Sequence, residues 1–337
     1  MSESRVTTIS TPDAQAGTPA TRVSLSRVGV TGVEKIIRVD GDGPGAGPAE
    51  LYYSELECFV DLNPEQAGVH MSRFEEVVNE AINQVVLKEA FKAEVLASHI
   101  AARVRERQGG RRAEVRIAAR YPETVPAPAS GQPTQEIYTL LGTAVVSERG
   151  TRTLTGVEAQ GMTACPCAQE LVEGRARERL AEQGFSDDEM ERVFESVPVA
   201  THNQRGIGTL HVGCPEGATV EIDARDLLRI VERSMSSEIY ELMKRSDEVE
   251  VVERAHRRPR FVEDCVREMI RSVAEAYPGL SERAFVHARQ ENLETIHRHS
   301  VVAERSGELS EILAELDSGE HSRHHMTMRE WLEAPVA

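Results

Sequence analysis

Apolar residues change period along this chain, and the order of the changes leaves few folds open. Phe74, Val77, Val78, Ala81, Ile82, Val85 and Val86 recur at i, i+3, i+4, i+7 and i+8, the pattern of a long amphipathic helix between Phe74 and Ile100. Ser72 followed by Glu75 gives that helix a capping-box start. The pattern then becomes strand-like at Ala113 to Tyr121, Glu136 to Ser147 and Thr151 to Gly161. The turn-rich PAPASGQP segment and Arg149-Gly150 separate these stretches, as in an antiparallel meander. Two helical stretches between Gln169 and Val197, the second opened by Ser186 with Glu189, read as an insertion. Short strands are expected at Thr209 to Gly213 and Thr219 to Ile222. Leu227, Leu228, Val231, Met235, Ile239 and Leu242 then mark a helix ending near Lys244. A further helix from Phe261 to about Tyr277 and a strand from Ala284 to Gln290 complete the pattern. Strands then helices, twice over, predict an α+β fold with a pseudo-repeat.

Charge and cysteine usage narrow the function. Against 39 Lys and Arg stand 56 Asp and Glu, a net charge of −17, which repels polyanions and anionic membranes over most of the surface. Nucleic acid and membranes are therefore not expected partners, and any phosphate site must be local. Five cysteines (Cys58, Cys165, Cys167, Cys214, Cys265) form an odd set without disulfide-framework spacing, and no 18-residue apolar run occurs. A cytoplasmic protein with reduced thiols is expected, where a close Cys pair is more often metal-binding or catalytic than structural. Residues 1–22 read as a flexible segment, the Gly/Pro stretch from Asp40 to Glu50 as a mobile loop, and 304–337, with His321, His324 and His325, as a solvated C-terminal extension.

Several short constellations carry chemistry. Thr163-Ala164-Cys165-Pro166-Cys167 follows a strand, so its thiols stand where the chain turns. They suit a metal thiolate with a second thiol nearby, a redox pair, or two small buried hydrophobes. His202-Asn203-Gln204-Arg205 is a loop dense in hydrogen-bonding groups. Lys244-Arg245-Ser246-Asp247-Glu248 is expected at a helix C-terminus with solvated carboxylates. In Glu294-Thr295-Ile296-His297-Arg298-His299 the two imidazoles share one side if the segment is extended. His70 and Arg73 flank the start of the first helix, where free N–H groups and cations make an anion pocket, though Ser72 there also reads as a simple cap. Thiolate, imidazole and carboxylate donors from separate segments suit Zn²⁺ or Fe²⁺ and a hydrolytic water. Their spacings match no short zinc-finger pattern.

At these motifs, in this order, the chain resembles the type IB GTP cyclohydrolases, most closely their archaeal MptA branch. The resembling segments are Gly68 to Phe74, Thr163 to Cys167, Thr201 to Gly206, Lys244 to Glu248, Phe261 to Asp264 and Glu294 to His299, and they cover roughly Val23 to Val302. The resemblance implies a tunnelling fold (T-fold) of two related α+β halves with antiparallel sheets, here 23–162 and 163–303, the second carrying a helical insertion at 168–201. It implies a homotetramer with active sites at subunit interfaces.

Carried over motif by motif, Cys165, His202, Glu248 and His297 would hold one Fe²⁺ per active site, with Zn²⁺ or Mn²⁺ as alternatives. Cys165 and His202 would act in the catalysis. Glu294 would hydrogen-bond the guanine edge, and His70 and Arg73 would face the substrate at its phosphates. The reaction implied is hydrolytic opening of the guanine imidazole ring of GTP with loss of formate, in pterin biosynthesis of the folate or tetrahydromethanopterin type. The 34 residues from Ala168 to Thr201 separate two motifs as in the archaeal branch, whose product is 7,8-dihydroneopterin 2′,3′-cyclic phosphate. The alternatives are the triphosphate product of the bacterial-type reaction and, in another class, a metal-binding or thiol-redox protein without turnover. Glu294 separates these, because a metal store needs no carboxylate that reads guanine.

Overall fold

The computed structural model of the chain describes residues 15, 17–39, 50–84, 92–217, 220–319 and 322–335. Most of residues 1–22, the Asp40 to Glu50 stretch apart from Glu50 itself, and His321 lie outside the described residues. The order of elements is β1 (Leu25–Val39), β2 (Glu50–Leu62), α1 (Met71–Gln84), α2 (Ala93–Gln108), β3 (Arg112–Pro126), β4 (Pro133–Ser147) and β5 (Gly150–Ala164). Next come α3 (Pro166–Glu182), α4 (Asp187–Ser196), β6 (Asn203–Cys214), α5 (Ala224–Ser234), β7 (Ser237–Glu238), α6 (Arg245–Arg257) and α7 (Val262–Ala276). The chain closes with β8 (Phe285–Leu293), β9 (Val301–Glu308), α8 (Leu309–Ser318) and α9 (Met328–Glu333).

All strands join one antiparallel sheet in the order β1-β2-β3-β4-β5-β6-β8-β9, with the short β7 paired to β5. Its register defines two ends. At one end Leu62, Arg112, Ser147, Gly150, Cys214 and Phe285 line up; at the other stand Pro126, Pro133, Ala164, Asn203 and Leu293. The first is the turn end and the second the insertion end. Helices α1, α2, α5 and α7 share one core with alternate strand residues such as Val115, Ile117, Leu210, Val212, Val286 and Ala288. The approach is close: a Cβ at Gly142 would lie 2.2 Å from the Ala93 backbone, so glycine on β4 lets the first turn of α2 touch the sheet.

Several expectations need correcting. The helix expected between Phe74 and Ile100 is two helices, because Lys92 is extended (φ −104°, ψ 91°) and caps a separate α2 that buries Leu96, Ala97, Ile100, Ala101 and Val104. Residues 85–91 lie outside the described residues. α1 begins at Met71, so Ser72 sits inside the first turn and cannot be its N-cap. The strand expected at Thr219 to Ile222 is absent from the described residues 220–222, which lead into the Asp223 cap of α5. That helix stops at Ser234, and Lys244 opens α6 instead of closing a helix.

The C-terminal extension is not a solvated appendage. β9 joins the sheet, so a boundary at 303/304 cuts a strand, as one at 162/163 cuts β5. Trp331, fully buried, stacks on Phe285 with ring centroids 5.6 Å apart and packs with Val145, Leu154 and Leu332. Its indole Nε1 donates to the Arg283 carbonyl at 3.0 Å, which satisfies the one polar atom a buried tryptophan brings. The meander, the insertion and the Ser186–Glu189 capping box stand as expected.

Candidate active site

The site is built where the chain leaves the sheet and returns to it. β5 ends at Ala164, paired with Asn203, and Pro166 occupies the first helical position of α3, so Cys165 becomes its extended N-cap residue. The inserted α3 and α4 therefore hang from a neck whose two sides are Cys165 and His202. That neck is cross-braced: Cys165 N donates to the His202 carbonyl (3.1 Å) and Thr201 Oγ1 donates to the Cys165 carbonyl (2.9 Å). Cys167, the second residue of α3, is exposed.

His202 is oriented by residues of the same motifs. Its Nδ1 lies 3.0 Å from Gln204 Oε1, and Gln204 Nε2 donates to Thr163 Oγ1 at 3.2 Å. Nδ1 therefore carries the proton and Nε2 keeps its lone pair for a ligand or proton. Thr163 and Gln204 are buried, so the relay is fixed by packing as well as by its hydrogen bonds. Glu294, its side chain only 7% exposed, places Oε2 3.7 Å from His202 Nδ1. Thr295 Oγ1 donates to the Asn203 carbonyl and ties the Glu294 segment to the start of β6.

Glu248 lies at the same end of the sheet. It stands exposed in the first turn of α6, beside the buried Asp247. Asp247 accepts from Ala129 N, Ser130 N, Ser130 Oγ and Lys244 N at 2.7–2.8 Å, which anchors α6 to the β3–β4 turn. Burial alone would raise its pKa, but the Ser130, Lys244 and Ala129 donors hold the carboxyl well below the usual range. The carboxylates expected to be solvated at a helix C-terminus thus divide: Asp247 anchors a helix N-terminus and Glu248 faces out. His297 and His299 are exposed, in a bend following β8 and not in a strand, with rings stacked at 5.1 Å.

His70 and Arg73 are elsewhere. Both are half-buried at the start of α1, where the His70 carbonyl accepts from Gln108 Nε2 (2.9 Å) and Arg73 Nη1 donates to the Arg107 carbonyl (3.2 Å). Gln108 closes α2 just before β3 begins, so this pair belongs to the turn end. The two ends are a strand apart, roughly 40–50 Å for a 15-residue strand. The chain thus brings Cys165, His202, Glu294 and, on a flanking helix, Glu248 to one end of the sheet, without drawing three of their donor atoms within 4.8 Å of one another, and leaves His70 and Arg73 at the other.

Among the described residues, one group of three or more His, Cys, Asp or Glu side chains has its donor atoms all within 4.8 Å: Glu311, Glu315 and His325. Arg305 Nη2 already bridges Glu311 and Glu315 at 3.1 and 3.2 Å, which explains why two carboxylates stand together there. The sequence reading missed the orienting roles of Thr163 and Gln204 and the anchoring role of Asp247. The first two lay inside motifs singled out for polar density, and the third was hidden by the misplaced helix boundary.

A thiol, an oriented imidazole and a buried carboxylate at the end of an antiparallel α+β sheet define a polar, enzyme-type site on a tunnelling-type fold. Uricase from Arthrobacter globiformis shares that fold with a TM-score of 0.50 at 9% identity, over 90% of this chain and 98% of that one. The model of type I GTP cyclohydrolase folE2 matches residues 11–303, and the chain belongs to that family. It is 40% identical over 312 residues to GTP cyclohydrolase MptA of Methanococcus vannielii, covering 90% of this chain and 98% of that protein. It is 38% identical over 313 residues to the MptA enzyme of Methanocaldococcus jannaschii, covering 91% and 98%.

Proposed function

We propose that this GTP cyclohydrolase opens the imidazole ring of GTP at the insertion end of its sheet. Water adds at C8, formate leaves, the ribose carbons rearrange and close the pterin ring, and the side chain ends as a 2′,3′-cyclic phosphate with release of pyrophosphate. The observation that carries this reading is the braced neck, which sets Cys165 and His202 side by side with Glu294 behind them.

The donor types suit a divalent metal. Cys165 offers a half-buried thiol, and His202 offers Nε2 because its Nδ1–H donates to Gln204 Oε1. Glu248 and His297 stand exposed on flanking segments, and a mixed S/N/O set suits Fe²⁺, with Zn²⁺ or Mn²⁺ as alternatives. Bound there, the metal would supply Lewis acidity that makes water nucleophilic near neutral pH. Glu294 accepts two N–H groups of the guanine edge, a bidentate contact that adenine cannot make. Gln204 holds the His202 tautomer that leaves Nε2 for the metal, and protons are shuttled by a neighbouring group.

His70 and Arg73 bind the phosphates from another copy of the chain. Their place a strand length away supports an assembly with shared sites, which we take to be a homotetramer in the cytoplasm. Two related halves are supported by the element order: strand, strand, helix, helix, strand, strand occurs as β1 to β4, and again as β5, β6, α5, α7, β8 and β9 once α3, α4, β7 and α6 are set aside. No helix among the described residues is long and apolar enough to cross a membrane.

Phosphorus NMR of an anaerobic reaction with GTP and Fe²⁺ tests the product. A cyclic phosphodiester signal together with pyrophosphate is expected. An intact triphosphate on the pterin side chain would assign the bacterial-type product and leave the ring-opening site unchanged.

A further inference from the structure

α6 carries Glu248 at its start, and its last turn does something the ligand motifs do not explain. His256, 9% exposed, places Nδ1 2.8 Å from the Val252 carbonyl and Nε2 3.3 Å from the Thr201 carbonyl. Both partners are backbone carbonyls, so the ring spans from its own helix to the neck. The Thr201 carbonyl is the peptide group immediately before His202, and the Thr201 hydroxyl holds the Cys165 carbonyl from the other side of the neck.

The same turn grips the insertion. Gln169 Nε2 on α3 donates to the Val199 and His256 carbonyls at 2.7 and 2.6 Å. Arg257 donates to the Glu195 and Ser196 carbonyls, capping the C-terminal end of α4. Arg260 N, just beyond, donates to the Ala164 carbonyl at 3.0 Å. α6 is thus fixed at its start by Asp247 to the β3–β4 turn and at its end by His256 to the neck.

We infer that His256 is a positioning residue for the active site: by holding the Thr201 carbonyl it sets the Cys165–His202 neck against the helix that carries Glu248. This inference rests on the reading of Cys165 and His202 as metal ligands. It assigns His256 no contact with substrate.

Two polar substitutions separate positioning from mere packing. In His256→Gln the amide nitrogen replaces Nε2 and still reaches Thr201; in His256→Asn it replaces Nδ1, keeps Val252 and loses Thr201. Cobalt(II) is titrated anaerobically into the metal-free full-length wild type, both variants and Cys165→Ser, following the thiolate-to-cobalt charge-transfer band, and kcat and KM for GTP are measured on the reloaded enzymes. Wild type is expected to show the band and Cys165→Ser to lack it. His256→Asn should bind cobalt about 10–100-fold more weakly, with kcat reduced and KM little changed, while His256→Gln recovers most of both.

Wild-type cobalt affinity and kcat in His256→Asn would overturn the inference while the Cys165 control preserves the metal reading. Equal losses in Asn and Gln would also overturn it, since they would mark a packing role. Persistence of the band in Cys165→Ser would remove the ligand assignment and the inference with it.

Discussion

The two ends of the sheet solve different problems. At the turn end an apolar plug covers part of the sheet: Trp331 and Leu332 close over Phe285, Leu154 and Val145, and Arg152 Nε and Nη2 donate to the Ala334 and Pro335 carbonyls beside it. At the insertion end the buried groups are polar and point at one another, through Thr163, Gln204, His202 and Glu294 on one side and Thr201 and His256 on the other. A plug gains stability from apolar area and can tolerate some slack. A network of buried donors and acceptors costs stability wherever one partner is missing, so its presence marks a place where geometry is being held for chemistry.

That contrast predicts that substitutions at the two ends separate activity from stability. The largest effect is expected for Cys165→Ala and His202→Ala, which should each abolish turnover and lower metal content on purification, with thermal midpoints staying near wild type when both proteins are compared metal-free. Full metal and full activity in either variant would remove that residue from the site. Glu248→Ala and His297→Ala, made in the same way, ask whether the exposed pair on the flanking segments belongs to the same ligand set.

Glu294→Gln comes next. It should fold and keep its metal but lose kcat/KM for GTP by about 10²-fold or more, because an amide cannot accept both N–H groups of the guanine edge. Steady-state kinetics alongside metal analysis decides it, and wild-type kinetics would leave guanine recognition without a carboxylate.

The smallest effect on activity is expected where the effect on stability is large. Trp331→Ala should cost about 3–5 kcal/mol of folding free energy by emptying a buried aromatic site, while kcat/KM per folded molecule stays within about twofold of wild type. Denaturant unfolding with kinetics on the folded fraction checks both halves. A large loss of kcat/KM with stability intact would erase the distinction between the two ends.

How far the sequence carried this account follows from which interactions are local. Period and capping are local, so the β3–β4–β5 meander, the inserted helices and the Ser186–Glu189 cap were legible. The break between α1 and α2 was not, because the Phe74 to Val86 periodicity runs smoothly towards Lys92 and nothing in the side-chain pattern marks the extended backbone there. α6 was misread for a related reason: Lys244-Arg245 looks like a cationic helix end, but Asp247 reverses the assignment by capping the backbone of Lys244 and of a turn more than a hundred residues earlier. The motifs singled out candidate residues for chemistry. They did not tell that Gln204 exists to orient His202, or that His70 and Arg73 sit at the far end of the sheet, since both facts depend on strand register.

That separation makes the most direct test one of assembly. Cys165→Ala and Arg73→Ala, each expected to be inactive alone, are produced with different tags and mixed through reversible unfolding or co-expression, and oligomers carrying both tags are purified and assayed with GTP. A site shared between copies predicts that the mixed oligomers recover turnover, because one interface can pair an intact Cys165 with an intact Arg73. Mixed oligomers as inactive as their parents, or an Arg73→Ala protein that is fully active by itself, would contradict the account.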